Sequence, residues 1–96
     1  MPLKTTKFDA ADYLTTPESI AVFLEDAFND NDPAAIAHAL GVAARAKGMT
    51  EVARQSGISR QTLYSALSSE GNPSLETLLC ALKAVGLQLQ VKPLNS

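Results

Sequence analysis

Twice in the first third of the chain a capping residue is followed at once by proline, and that pairing leaves the backbone few options. In Thr16-Pro17-Glu18 a hydroxyl acceptor precedes a residue whose φ is preset for a first helical turn, with an acid where the helix dipole favours one. A helix starting at 17 follows, and its apolar Ile20, Phe23, Leu24, Ala27 and Phe28 recur at helical spacing, so one stripe faces a core. Residues 29–32 break it. Asp32-Pro33 repeats the device and opens a second helix, rich in alanine, with Ile36, Leu40 and Ala43 on one face, running to Lys47 before Gly48. Alanine on that scale predicts a close approach of helix axes, because a methyl group holds neighbours near the short end of the usual range.

The same punctuation continues downstream. Two short helices, over 50–56 and 60–69, are separated only by Gly57, Ile58 and Ser59, and Ser74 caps a fifth whose Leu75, Leu78, Leu79, Leu82 and Val85 form a stripe ending at Gly86. After Gly86 the period changes to two: Leu87-Gln88-Leu89-Gln90-Val91 alternates apolar and polar before Pro93, the pattern of a half-buried strand that would need a pairing partner. At 96 residues there is room for one domain, and 46% hydrophobic against 19% charged residues excludes a wholly disordered chain. The expectation is an all-α, five-helix domain over 17–96, with an N-terminal arm over 1–16 and a C-terminal β-strand. A core this small gains from a second subunit, which predicts a homodimer.

Charge is spread unevenly. From Met1 to Asp32 seven acids stand against Lys4 and Lys7, a net of −5, while Pro33 to Glu70 sums to +2 within a total of −2. That balance argues against a protein that coats nucleic acid indiscriminately and leaves room for a small basic patch. One cysteine, Cys80, excludes an internal disulfide; within LLCAL it reads as a small buried hydrophobe. The N-terminus lacks the apolar core of a secretory signal, and the longest apolar runs are too short to span a bilayer, so a cytoplasmic protein is expected, with no membrane partner. The lone His38 has no second ligand near it in sequence, so no metal and no cofactor are expected. Paired carboxylates in a polar frame, a Ser/His/Asp set and a glycine-rich phosphate loop are all missing, which argues against an enzyme.

The segment GMTEVARQSGISRQTLYSAL, about 49–68, has the spacing of a helix-turn-helix. Ala53 supplies the small residue where two steeply crossed helices touch; Gly57 supplies a left-handed turn; Ile58 plugs the gap beneath it; Leu63 and Leu67 pin the second helix. Ser59 caps that helix and leaves Arg60, Gln61, Tyr64 and Ser65 facing outward. Such a set suits double-stranded DNA, since arginine grips guanine and glutamine grips adenine through paired hydrogen bonds, and helix starts at a groove also meet phosphate. Thr50 and Ser59 are candidates for that phosphate contact, and Arg54 for a sequence-independent one. The plainer readings are a solvated helix face for Arg60, Gln61 and Ser65, packing at the core edge for Tyr64, simple caps for Thr50 and Ser59, and a solubilising charge for Arg54.

RQSGISRQTLYSALSSEGNPSLETLLCALKAVGL resembles the C-terminal two-thirds of small antitoxins with a Cro/repressor-type helix-turn-helix, the HigA-like addiction module antidotes of the XRE class. GISRQTLY, ALSSEGNPSLETLL and LKAVGL are the most specific runs, and YLTTPESIAVFLEDAF extends the likeness back to Tyr13. MTEVARQSG departs from the commoner repressor form, being two residues shorter before the alanine. The resemblance implies a lambda repressor-type fold and an antitoxin of a type II module, encoded beside a small basic toxin of the RelE/HigB-like ribonuclease class. It implies toxin neutralisation by direct binding and repression of the antitoxin's own operon as a homodimer on operator DNA. The alternatives are a prophage-type repressor with no toxin partner and a toxin-binding module with little DNA affinity. The acidic first third, opposed to phosphate but complementary to a basic toxin, makes Met1 to Asp32, including Phe8, Asp9, Asp12, Tyr13 and the exposed side of the first helix, a candidate toxin-binding surface; the plainer reading is an acidic solvated face.

Overall fold

A computed structural model describes residues 13–94 as five helices: α1 (Pro17–Asn29), α2 (Pro33–Lys47), α3 (Met49–Ser56), α4 (Arg60–Ala66) and α5 (Leu75–Ala84). Each of four starts is held by the side chain expected to hold it. Thr16 accepts from the Ser19 amide at 3.1 Å while Ser19 Oγ accepts from the Thr16 amide at 3.2 Å, a reciprocal capping box. Asp32 accepts from the Ala34 amide at 3.1 Å, and Ser59 and Ser74 accept from the amides of Thr62 and Thr77, each at 3.1 Å.

α2 is the centre of the bundle and touches every other helix. Ala37, Leu40, Ala43 and Ala44 are completely buried, so its alanines do let neighbours approach from several sides. The closest approach falls at Gly41, where an added Cβ would stand 2.1 Å from the carbonyl oxygen of Leu67 at the end of α4. Around α2 the core is completed by Leu14, Ile20 and Leu24 on one side and Val52, Leu63, Leu67, Leu82 and Val85 on the other.

Four expectations need correction. The alternation over 87–91 does not form a strand, and no strand occurs among the described residues. Its first residue is already committed to a helix end: the Leu87 amide donates to the Leu82 carbonyl at 2.8 Å and the Gly86 amide to the Lys83 carbonyl at 3.0 Å, a Schellman closure that folds Leu87 onto the core. Beyond it no neighbouring edge is present for pairing among the described residues, and Val91 is 98% exposed. α4 stops at Ala66, short of 69, because the Ser68 hydroxyl takes the Ser65 carbonyl at 3.2 Å and the Gly71 amide closes a turn on the Ser68 carbonyl at 2.9 Å. On α5 the buried face is Ala81, Leu82 and Ala84 with Leu78 packed beside it, whereas Leu75 and Leu79 point to solvent at 67% and 43% exposure. Cys80 is half-buried.

No helix among the described residues is long and apolar enough to cross a membrane. Phe8, Asp9 and Asp12 lie outside the described residues; Tyr13 is 66% exposed.

Candidate nucleic-acid interface

α3 is short, and three features fix its relation to α4. Met49 and Val52 anchor its inner face in the core, Ala53 sits half-buried at the crossing, and the chain then reverses through Gly57 at φ +77°. The Gly57 amide closes on the Ala53 carbonyl at 2.9 Å, and the Ser56 hydroxyl accepts from the Ile58 amide at 3.2 Å, so the turn between the helices has its own hydrogen bonds. Ile58 packs against the core beneath it. A Cβ on Gly57 would meet nothing within 4 Å, so only backbone conformation opposes a side chain there. Gly57→Ala should therefore lower stability by about 1 kcal/mol, read as a thermal midpoint about 4–8 °C lower, while Gly57→Asn, which tolerates the left-handed region, should lose less.

α4 carries the outward set. Leu63 and Leu67 are buried at 0% and 2% exposure; Gln61 and Ser65 lie on the opposite face and Arg60 and Tyr64 on the flank beside the buried pair, and all four are exposed. Ser59 is also exposed at the helix start, its hydroxyl donating to Thr62 Oγ1 at 2.9 Å while it caps. The Arg60 guanidinium lies over the Tyr64 ring at 5.8 Å from the centroid, a cation–π contact at the outer end of the useful range. Tyr64 is 45% exposed, and its ring carries this contact with Arg60. Gln61 and Ser65 line a shallow recess of about 530 Å³ together with Glu70, Gly71 and Asn72. Glu70, Gly71 and Asn72 are residues that the sequence did not associate with the α4 face; the short SSEGN link after α4 carries them.

Thr50 and Arg54 both lie on α3. Thr50 is exposed on α3 but caps nothing: Gly48 both ends α2 and starts α3, which has no side-chain cap. Arg54 is engaged within its own helix, where its guanidinium forms a salt bridge with Glu51 and Gln55 Nε2 donates to the same carboxylate at 2.6 Å. The i, i+3 spacing of Glu51 and Arg54 was legible in the sequence. Arg54 beside it holds the Glu51 carboxyl below the usual carboxylate range.

His38 is exposed on α2, and among the described residues no group of three histidine, cysteine or acidic side chains stands together to hold a metal. No buried charged or polar residue occurs in the described core, and no buried side-chain nitrogen or oxygen lacks a partner there. What the arrangement offers chemically is a surface of hydrogen-bonding amide and hydroxyl groups and an exposed guanidinium against a tyrosine ring on a short helix.

Comparison with known proteins agrees with a regulatory assignment. An uncharacterized protein of Haemophilus influenzae is 44% identical over 85 residues, 88% of each chain. No solved structure matches the chain. The family described as "Probable addiction module antidote protein" matches residues 4–93, nearly the whole length, and the chain belongs to that family.

Proposed function

We propose that this chain is a non-catalytic antitoxin that binds and neutralises a small basic ribonuclease toxin of the RelE/HigB-like class and represses its own operon through a repressor-type helix-turn-helix. Membership in the antidote family supports the toxin partner. The observation that carries the DNA half is the face of α4, where Arg60, Gln61, Tyr64 and Ser65 stand exposed over the buried Leu63 and Leu67. Arg60, steered by the Tyr64 ring, reads a guanine; Gln61 and Ser65 contact a neighbouring base or phosphate; Ser59 and Thr50 meet phosphate at the two helix starts.

A single reading helix per chain calls for two copies. In the homodimer the two α4 helices lie about 34 Å apart, one DNA turn, facing the half-sites of a palindromic operator. Leu75 and Leu79, exposed one turn apart on α5, supply apolar surface suited to such an association.

Arg60→Ala should weaken binding to the operator upstream of the chain's own gene by about 1–3 kcal/mol, some 5- to 150-fold, and relax the preference at one base position. Because Arg60 is exposed, its thermal midpoint should stay within a degree or two, roughly. Fluorescence anisotropy with a set of single-base operator variants measures both, and unaltered operator affinity would remove the assignment of α4 as the reading helix. A second reading, a toxin-binding module with little DNA affinity, is favoured by the net charge of −2 and by the engagement of Arg54 with Glu51. It predicts that the wild-type chain itself shows no preference for the operator over arbitrary DNA.

A further inference from the structure

Between α1 and the segment that follows α5 lies an open groove of about 390 Å³. Its floor is the buried or half-buried Leu24, Leu82 and Leu87; its rim is exposed, with Val22 and Glu25 on α1 and Lys92 on the facing segment. Val22 on the rim is 67% exposed, and Val91 and Leu94, on the segment that carries Lys92, are 98% and 96% exposed. Surface of that kind beside a concave apolar floor is suited to a protein partner.

Charge decides which partner. α1 carries Glu18, Glu25 and Asp26 and no lysine or arginine, and Asp30 follows at its end. Glu18, Val22 and Glu25 recur at helical spacing, so they form one outward row with the valine between two carboxylates. None of these acids forms an ion pair among the described residues, where the salt bridge is Glu51 with Arg54. A second copy seated symmetrically on this face would bring two such rows together with, among the described groove residues, only the Lys92 of each copy to offset them, and like charges across an interface are costly. Nucleic acid is repelled by the same carboxylates.

We propose that this groove is the docking site for a basic protein surface, which inserts an apolar side chain beside Val22 and Leu87 and places lysine or arginine against Glu18 and Glu25. The identity of that protein, the toxin, rests on the proposed antitoxin function. The groove extends the expected binding surface of the N-terminal arm and α1 to an apolar floor and the residues after α5.

The test uses the full chain and the purified small basic protein encoded beside it, titrated by calorimetry against wild type, Val22→Gln and Glu25→Lys. Both substituted side chains are exposed, so both variants should keep the wild-type thermal midpoint and helix content. Val22→Gln should weaken the complex about tenfold or more, and Glu25→Lys about tenfold at low salt with a smaller loss at high salt. If wild type binds and both variants bind equally well, the groove is not the site, while the antitoxin function stands. If wild type does not bind, that function fails and the groove assignment with it. Variants that alter self-association in sedimentation while leaving toxin affinity intact assign the groove to a second copy and overturn the proposal.

Discussion

Gly41→Ala is expected to destabilise the protein by about 3 kcal/mol, lowering the thermal midpoint by about 12–24 °C. On an isolated helix the same change would stabilise by about 1 kcal/mol, since glycine is a poor helix former. Here the sign reverses because the methyl group would stand 2.1 Å from the Leu67 carbonyl oxygen and 3.2 Å from its carbon. Those are backbone atoms, unable to swing aside as a flexible side chain does. Relief requires α2 and the end of α4 to separate, and Leu67 is itself buried at 2% exposure, so the movement reaches the core. Thermal unfolding followed by circular dichroism gives the answer; an unchanged or raised midpoint would mean that the α2–α4 crossing has slack.

Leu63→Ala should cost a similar amount, about 2–5 kcal/mol, by opening a cavity where the side chain is completely buried. Its effect on DNA binding should exceed what the unfolded fraction accounts for. α4 has seven residues, too few to hold a helical conformation alone, and Leu63 with Leu67 is what seats it. Loosening that seat disperses the orientations of Arg60 and Gln61 without touching either. Leu63→Met, which keeps the volume, should cost less than about 1.5 kcal/mol and retain operator affinity. Urea titration paired with operator binding at a temperature where both variants are folded separates stability from seating.

The parts of the fold that were legible in the sequence are those set by contacts within a few residues. Thr16, Asp32, Ser59 and Ser74 cap helices because a short oxygen-bearing side chain reaches an amide two or three residues on, whatever the rest of the chain does. Gly57 is equally local. The departures arise where distant elements decide. Alternation over 87–91 is compatible with a strand, but a strand exists only beside another edge, and the Schellman closure at Leu87 had already claimed the first amide. Leu75 and Leu79 fit an apolar stripe by spacing, yet which arc of α5 meets the core is set by α3, against which α5 packs. Gly41 looks like one more small residue in an alanine-rich helix; its necessity appears only when Leu67 is placed beside it. At the α4 face, the outward placement of Gln61 and Ser65 follows from the spacing of Leu63 and Leu67, whereas Arg60 and Tyr64 flank that buried pair and their exposure is known only from the folded chain. The contact of Arg60 with Tyr64 required the geometry of both side chains.

The pairing of Arg54 with Glu51 has a thermodynamic corollary for any complex with DNA. A free arginine that neutralises a phosphate expels a condensed cation from the duplex and adds about 0.9 to the slope of log affinity against log salt. Arg54 would instead exchange one anion for another, and the carboxylate it leaves behind would face the phosphates unneutralised. α3 therefore brings almost no counterion release of its own. In the proposed complex, association with arbitrary duplex, which lives on that release, would be disfavoured, and recognition would rest on the bases that α4 would meet.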